Sequence, residues 1–184
     1  MGASGRDGRQ FKVSRVSWKD MLRLLFGFLL ILCIAVSCRR LPDVQGKGEA
    51  FLQGVWNQDS IANADKLLNY TQHKFRFTCD SFYVDLTTHS KVNYYSDSCF
   101  NGGVWKEYAK GVYEVRADSL FLVGTYTKAN YKQKISGCYR IGQYIQTFYI
   151  RSAGQDQLKL ESTSNQRDCT LALKERITCK PKEL

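Results

Sequence analysis

Beyond residue 50 the chain consists of short runs in which apolar and polar side chains alternate, and turn residues separate these runs. The clearest example joins residues 111–116 to residues 119–126 through Ala117 and Asp118. Successive side chains of a β-strand point to opposite faces, so a period of two predicts half-buried strands, here joined in a hairpin. No long segment of this region repeats its apolar residues at helical spacing, which argues against a helical bundle.

The same alternation predicts about eight strands, most of them five to seven residues long. They cover residues 51–57, 74–79, 82–86, 111–116, 119–126, 139–151, 157–161 and 170–174. One or two helical turns are expected at residues 60–68, and a long loop at residues 89–110. Short connections favour antiparallel neighbours, and eight such strands can close around side chains or one small ligand. The expected fold is all-β, an antiparallel eight-stranded barrel with a short helical segment after the first strand.

The aromatic content agrees with this fold class. The chain contains 11 Tyr, 10 Phe and 3 Trp but only 2 Pro. Aromatic side chains favour the pleated, half-buried surfaces of sheets, and proline is kept out of central strands. The composition therefore predicts β structure independently of the alternation.

The N-terminal region carries an apolar run at residues 24–36, too short to cross a bilayer, which needs about 20 residues. Arg15, Lys19 and Arg23 precede this run, as in the charged segment of a signal peptide. The block Ala35-Val36-Ser37-Cys38 resembles a bacterial lipobox, in which the cysteine is acylated, for example with palmitate. That resemblance implies a membrane anchor at Cys38. A plain signal peptide with an incidental cysteine is the alternative.

These features predict three segments. Residues 1–37 are the lipoprotein signal peptide, with Met21 as an alternative start, residues 38–49 a flexible tether, and residues 50–184 the barrel domain. The residues that follow the cysteine are Arg39 and Arg40, and not the acidic residue that holds many lipoproteins at the inner membrane. The resemblance therefore implies the periplasmic face of the outer membrane.

The charge gives little support to nucleic-acid binding. Without residues 1–37 the chain keeps 21 Lys and Arg against 15 Asp and Glu, and no four basic residues are consecutive. A nucleic-acid surface usually shows a dense basic patch. The expected partners are a membrane, through the lipid, together with a small apolar ligand or an envelope protein.

The cysteines indicate an oxidising compartment. Five remain in the predicted domain, namely Cys79, Cys99, Cys138, Cys169 and Cys179. Two disulfides among five cysteines allow 15 arrangements, and a bond between Cys79 and Cys99 is expected because it would link neighbouring strands. No C-x₂-C pair occurs and no histidine adjoins a cysteine, so no metal and no cofactor is predicted.

Two segments resemble lipocalins. Gly54-Val55-Trp56 on the first strand is similar to their G-x-W element, and residues 111–126 are similar to the repeated hairpin of small lipocalin-like lipoproteins. The resemblance covers roughly residues 50–175 and implies a cup for a small apolar or amphipathic ligand. Trp56 would close one end of the cup, and strand parity and size select the other lining residues. The predicted ligand-binding residues are Trp56, Phe75, Phe77, Tyr113, Tyr126, Tyr144 and Phe148. The alternative is that these aromatic side chains fill the barrel completely.

Catalysis is not predicted. Nucleophilic catalysis needs a base beside the nucleophile, and the only histidines are His73, at the start of a predicted strand, and His89, in a predicted loop. The sequence contains no G-x-S-x-G, H-E-x-x-H or phosphate-binding loop. A fumarase-type activity lacks support, because the Gly-Ser-Ser-x-Met-Pro loop of one fumarase class is absent.

Two functions follow from these patterns. The first is a membrane-anchored envelope lipoprotein whose barrel binds a small ligand. The second is an envelope interaction module with a solid barrel, which would bind a protein through aromatic residues of the 89–110 loop. Those residues are Tyr94, Tyr95, Phe100, Trp105 and Tyr108.

Overall fold

The computed structural model describes residues 18–19, 22, 45–164 and 168–181. The chain divides into two units, residues 1–43 and 44–184, and the second unit holds the predicted domain. Cys38 lies outside the described residues, as do residues 23–37 of the predicted signal peptide and residues 39–44 of the predicted tether.

The second unit is all-β, as the alternation predicts. Its strands are β1 Gly54–Asn57, β2 Asn69–Thr78, β3 Ser81–Ser90, β4 Val104–Arg116, β5 Ser119–Thr127, β6 Gln143–Ala153, β7 Gln157–Ser162 and β8 Cys169–Arg176. Each strand pairs antiparallel with the next, and β1 also pairs with β8, so the eight strands form one ring, called the closed sheet below. A 3₁₀ turn, Ala64–Lys66, follows β1, which confirms the predicted short helical segment.

The predicted loop at residues 89–110 is largely wrong. Residues 89 and 90 end β3, a one-turn helix covers Asp97–Phe100, and β4 begins at Val104. Trp105, Glu107 and Ala109 are buried inside the closed sheet. The sequence pattern did not predict this part of β4 because charged residues are seldom buried, so Glu107 interrupts the expected apolar alternation. Its position inside the sheet depends on a partner that is distant in the chain.

A pair of glycines brings two aromatic side chains together inside the sheet. Phe82, Gly111, Gly124 and Tyr144 lie in register across β3, β4, β5 and β6. A Cβ atom on Gly124 would lie 2.1 Å from the carbonyl oxygen of Lys110, so only glycine fits. The Phe82 and Tyr144 rings meet above the glycines with centroids 5.6 Å apart. The small residues therefore make room for ring packing in the core.

One end of the closed sheet is sealed by Trp56 and the segment before β1. The Trp56 indole Nε1 donates to the carbonyl oxygen of Leu52 at 2.7 Å, and the Arg176 guanidinium lies 5.4 Å from the ring centroid. Gln53 is buried beside it and donates to the Cys79 carbonyl and to the Tyr113 hydroxyl, each at 2.8 Å. These contacts give hydrogen-bond partners to the buried indole N–H of Trp56 and the buried amide of Gln53.

The two disulfides lie at opposite ends of β3. Cys79 bonds Cys179, and Cys99 bonds Cys138, whereas Cys169 takes part in neither bond. The predicted bond between Cys79 and Cys99 is wrong. Cys79 precedes the ten-residue strand β3 and Cys99 follows it, which separates them by about 30 Å at 3.3 Å per residue. A disulfide cannot bridge more than about 7 Å between Cα atoms.

Candidate functional site

The seven predicted lining residues are brought together inside the closed sheet. All of them are buried: Trp56, Phe75, Phe77, Tyr113, Tyr126, Tyr144 and Phe148. Ring centroids lie 5.5 Å apart for Phe75 and Phe77, 5.1 Å for Phe77 and Tyr113, and 6.2 Å for Phe75 and Phe148. These separations are typical of favourable aromatic pairs.

The interior around these rings is filled by side chains. Phe75, Phe77, Phe148, Leu120 and Leu122 expose 0% of their surface. A void large enough for a water molecule would expose the atoms around it, so no such void adjoins these five residues. A ligand could reach this part of the interior only if packed rings moved apart.

The Cys169 thiol and the His73 imidazole lie together in the interior, toward the end of the closed sheet opposite the one that Trp56 seals. The His73 Nδ1 is 3.1 Å from Gln58 Oε1 and 3.5 Å from Cys169 Sγ. Burial, with a smaller effect of Arg140, lowers the pKa of His73 to about 4. Burial, with a smaller effect of Asp168, raises the pKa of Cys169 to about 12. Both groups are therefore neutral at pH 7, the opposite of a reactive thiolate and imidazolium pair. The prediction that His73 starts its strand is wrong, because it lies within β2 and faces inward.

The interior also contains a buried hydroxyl, that of Tyr144. Within the described part of the chain, the Tyr144 hydroxyl has no hydrogen-bond partner. Burial raises its pKa above the ordinary value of 10, so the group stays protonated. Its ring packs edge-on against Tyr126, with centroids 5.5 Å apart. An unsatisfied buried hydroxyl typically costs about 1–3 kcal/mol.

Two loops form a cap at this end, defined here as residues 91–103 and 128–142. The disulfide between Cys99 and Cys138 joins them. The Tyr139 ring stacks on Trp105 with centroids 5.6 Å apart, and its hydroxyl donates to the Cys99 carbonyl at 2.6 Å. The cap therefore covers Trp105, which is only 6% exposed. The prediction that Trp105 lies on an exposed loop is wrong, whereas Tyr94 is exposed as expected.

A salt bridge holds the cap to β4. Arg140 donates to Glu107 through Nε at 3.0 Å, through Nη2 at 2.7 Å and through its backbone N–H at 3.0 Å. Burial alone would raise the pKa of Glu107, but the hydrogen bonds and charge of Arg140 outweigh it and the net pKa is lowered. The Glu107 side chain is 3% exposed and that of Arg140 is 40% exposed. The carboxylate thus depends on one partner from the cap.

The outer face of the closed sheet carries an exposed apolar row, defined as Val112, Val123 and Ile145. Val112 pairs with Val123 and Val123 pairs with Ile145, so the three side chains are neighbours across β4, β5 and β6. Their exposed fractions are 56%, 52% and 56%. Single exposed apolar residues are ordinary, but a contiguous group can mark a binding surface.

Neither a metal site nor a membrane helix emerges from the described residues. Nowhere in residues 45–164 or 168–181 do three or more His, Cys, Asp or Glu side chains converge to hold a metal ion. Among the described residues, no helix combines the length and apolar character needed to cross a membrane. No protein-family model, no curated protein and no solved structure matches the chain.

Proposed function

We propose that this protein is an envelope-anchored binding module that engages a protein partner through the outer surface of its closed sheet. The observation that carries the proposal is the filled interior, since Phe75, Phe77 and Phe148 expose none of their surface. Separating such rings would expose apolar surface at about 1.5–3 kcal/mol per side chain. The filled interior favours the interaction module over the carrier, and the exposed apolar row supplies a surface.

The proposal includes a lipid anchor and a cellular location. Cys38 is the proposed acylation site, residues 1–37 the signal peptide, and the periplasmic face of the outer membrane the location. The two disulfides support export, because disulfides persist in oxidising compartments. Replacing Cys38 by serine should remove the acyl mass and release the protein from the membrane fraction. An unchanged mass and unchanged partitioning would refute the anchor.

The proposed module is not an enzyme. Among the described residues, the buried thiol and imidazole pair of Cys169 and His73 has pKa values shifted away from those of the ionised pair that nucleophilic catalysis uses. The buried Glu107 carboxylate is engaged by Arg140, which holds the cap.

One observation favours the carrier as a second candidate. The buried Tyr144 hydroxyl, which has no hydrogen-bond partner among the described residues, could be satisfied by a small polar ligand at the capped end. Native mass spectrometry of the purified full chain tests the two candidates together. An interaction module should show the mass of the protein alone or of its protein complexes. A co-purified small molecule that the Tyr144→Phe variant fails to retain would refute the filled-interior proposal.

A further inference from the structure

We infer that the protein partner of the apolar row is a second copy of this chain, related by a two-fold axis that runs along Val112, Val123 and Ile145. The inference rests on the proposed function as an outer-surface binding module, whose partner it names. In such a dimer each residue of the row would pack against the same residue of the other copy. Two sheets would then lie face to face, at about the 10 Å separation of packed sheets.

The strand register makes this face complementary to itself. Lys110 and Glu114 lie on β4 two residues before and two residues after Val112, and both side chains point outward. Each is therefore about 7 Å from the row along the strand. A two-fold axis along the row reverses the strand direction of the second copy. Lys110 of each copy then faces Glu114 of the other. Glu114 already accepts two hydrogen bonds from Arg116 of its own strand, each at 2.7 Å, so the dimer would extend this ion pair by one lysine at each of two places.

The other flanking positions introduce no repulsion. On β5 the axis places Phe121 opposite Thr125, and on β6 it places Gln143 opposite Thr147. Arg116, the next charged outward residue of β4, would face Tyr108. Like charges directly opposite one another would disfavour pairing, and at these register positions none lie opposite. The Arg116 guanidinium bound to Glu114 comes near Lys110 of the other copy, but the carboxylate lies between the two cations. An isologous interface requires such self-complementarity, and a row of three apolar residues alone would not provide it.

The size of the face indicates a weak dimer. Three strands spaced by about 4.8 Å and about nine residues long cover roughly 14 Å by 30 Å, below the standard area of stable interfaces. Confinement of anchored copies to one membrane surface raises their effective concentration and favours pairing there. The dimer is therefore best sought at high concentration and in native membranes.

A charge exchange on β4 tests the inference. Sedimentation equilibrium of the full chain in mild detergent should show a monomer–dimer equilibrium. Lys110→Glu alone and Glu114→Lys alone should each weaken it about tenfold or more, because two attractive contacts become repulsive. The double exchange should restore it. Lys106→Glu is the matched control, since Lys106 is an outward lysine of β4 beyond the proposed contact.

Cross-linking in membranes supplies a second readout. Val123→Cys lies on the axis, where the two backbones would be about 10 Å apart and too far for a direct disulfide, so a short bifunctional thiol reagent should link the two copies in excess of the parent chain. The same reagent should link Thr125→Cys far less, because its mate would lie about 13 Å further along the strands. Single exchanges without effect, a double exchange that fails to restore dimers, or equal cross-linking at both positions would overturn the inference. A co-purified small ligand would instead overturn the proposed function, so the two failures are distinguishable.

Discussion

The salt bridge between Glu107 and Arg140 makes a directional prediction about stability. Glu107 is almost completely buried, whereas the Arg140 side chain is 40% exposed. Removing the charge of Arg140 therefore leaves a buried carboxylate, while removing the charge of Glu107 leaves a cation that can turn toward water. We expect Arg140→Met to be the more damaging change. Methionine keeps apolar packing over the Tyr126 ring, which the guanidinium carbon now approaches to 4.9 Å from the centroid.

The size of the expected loss in free energy of unfolding follows from the burial of the Glu107 carboxylate. Breaking a fully buried ion pair on one side costs about 3–5 kcal/mol, and partial exposure of the arginine reduces this. Glu107 would still accept hydrogen bonds from the backbone N–H of residue 140 and from Trp105 Nε1. We expect a loss in free energy of unfolding of about 2–3 kcal/mol for Arg140→Met and about 1 kcal/mol for Glu107→Gln at pH 7. The double variant should be no worse than Arg140→Met.

The pH dependence has a definite sign. The native pKa of Glu107 is below its ordinary value of 4.5, so the pair stabilises the fold above that pH and loses this effect as pH falls through the lowered pKa. In Arg140→Met, burial acts without the arginine, and we expect a raised pKa and stability that falls as pH rises past 4.5. Urea unfolding at about pH 3.5 and at about pH 7 should show the gap between native protein and variant widening with pH. An equal gap at both values, or a larger loss for Glu107→Gln at pH 7, would refute this reasoning.

Three further predictions concern stability measured by thermal or urea unfolding. Ala117 is exposed in the β4–β5 turn with φ of 53°, so Ala117→Gly should raise the free energy of unfolding by about 0.5–1 kcal/mol. A lower free energy of unfolding would contradict the left-handed geometry. Gly124→Ala should cost about 2–3 kcal/mol, whereas Gly154→Ala, whose added Cβ would find its nearest neighbour at 3.5 Å, should be nearly neutral. Removing the Cys79–Cys179 bond should cost more than removing the Cys99–Cys138 bond, about 4.7 against about 3.9 kcal/mol, because it closes 100 residues rather than 39; the reverse order would argue against a chain-entropy effect.

The strands that sequence predicts well are those with a purely local signal. Phe75 and Phe77 alternate with polar residues on β2, and the structure buries both. The same parity includes His73, which identifies it as an inward residue although a polar histidine was expected at the start of the strand. Val123 has the opposite parity to Leu122, which places it on the outer face. Once the buried face of the strand is known, the alternation of its residues predicts that Val123 lies on the outer face.

The features that sequence could not supply depend on contacts between distant residues. Residues 104–110 belong to β4 because Glu107 finds its partner 33 positions later, at Arg140. The strands β2 to β5 are longer than expected because neighbouring strands continue the ladder through polar residues such as Thr87 and Thr88, whereas β6 begins at Gln143 and not at residue 139 as predicted. Disulfide pairing failed for the same reason, since proximity in sequence placed Cys79 near Cys99 while an intervening strand separates them. Local sequence patterns carry no information on such contacts between distant residues.

A filled interior has a consequence for the outer surface. The packed rings and the two disulfides restrain the sheet from inside and at both ends, so the apolar row is held in one arrangement before any partner arrives. Binding then requires little ordering of backbone, and ordering is one of the main costs of association. A hollow cup of the same topology would lose that rigidity whenever its ligand left. The same packing that argues against a carrier therefore favours recognition through Val112, Val123 and Ile145.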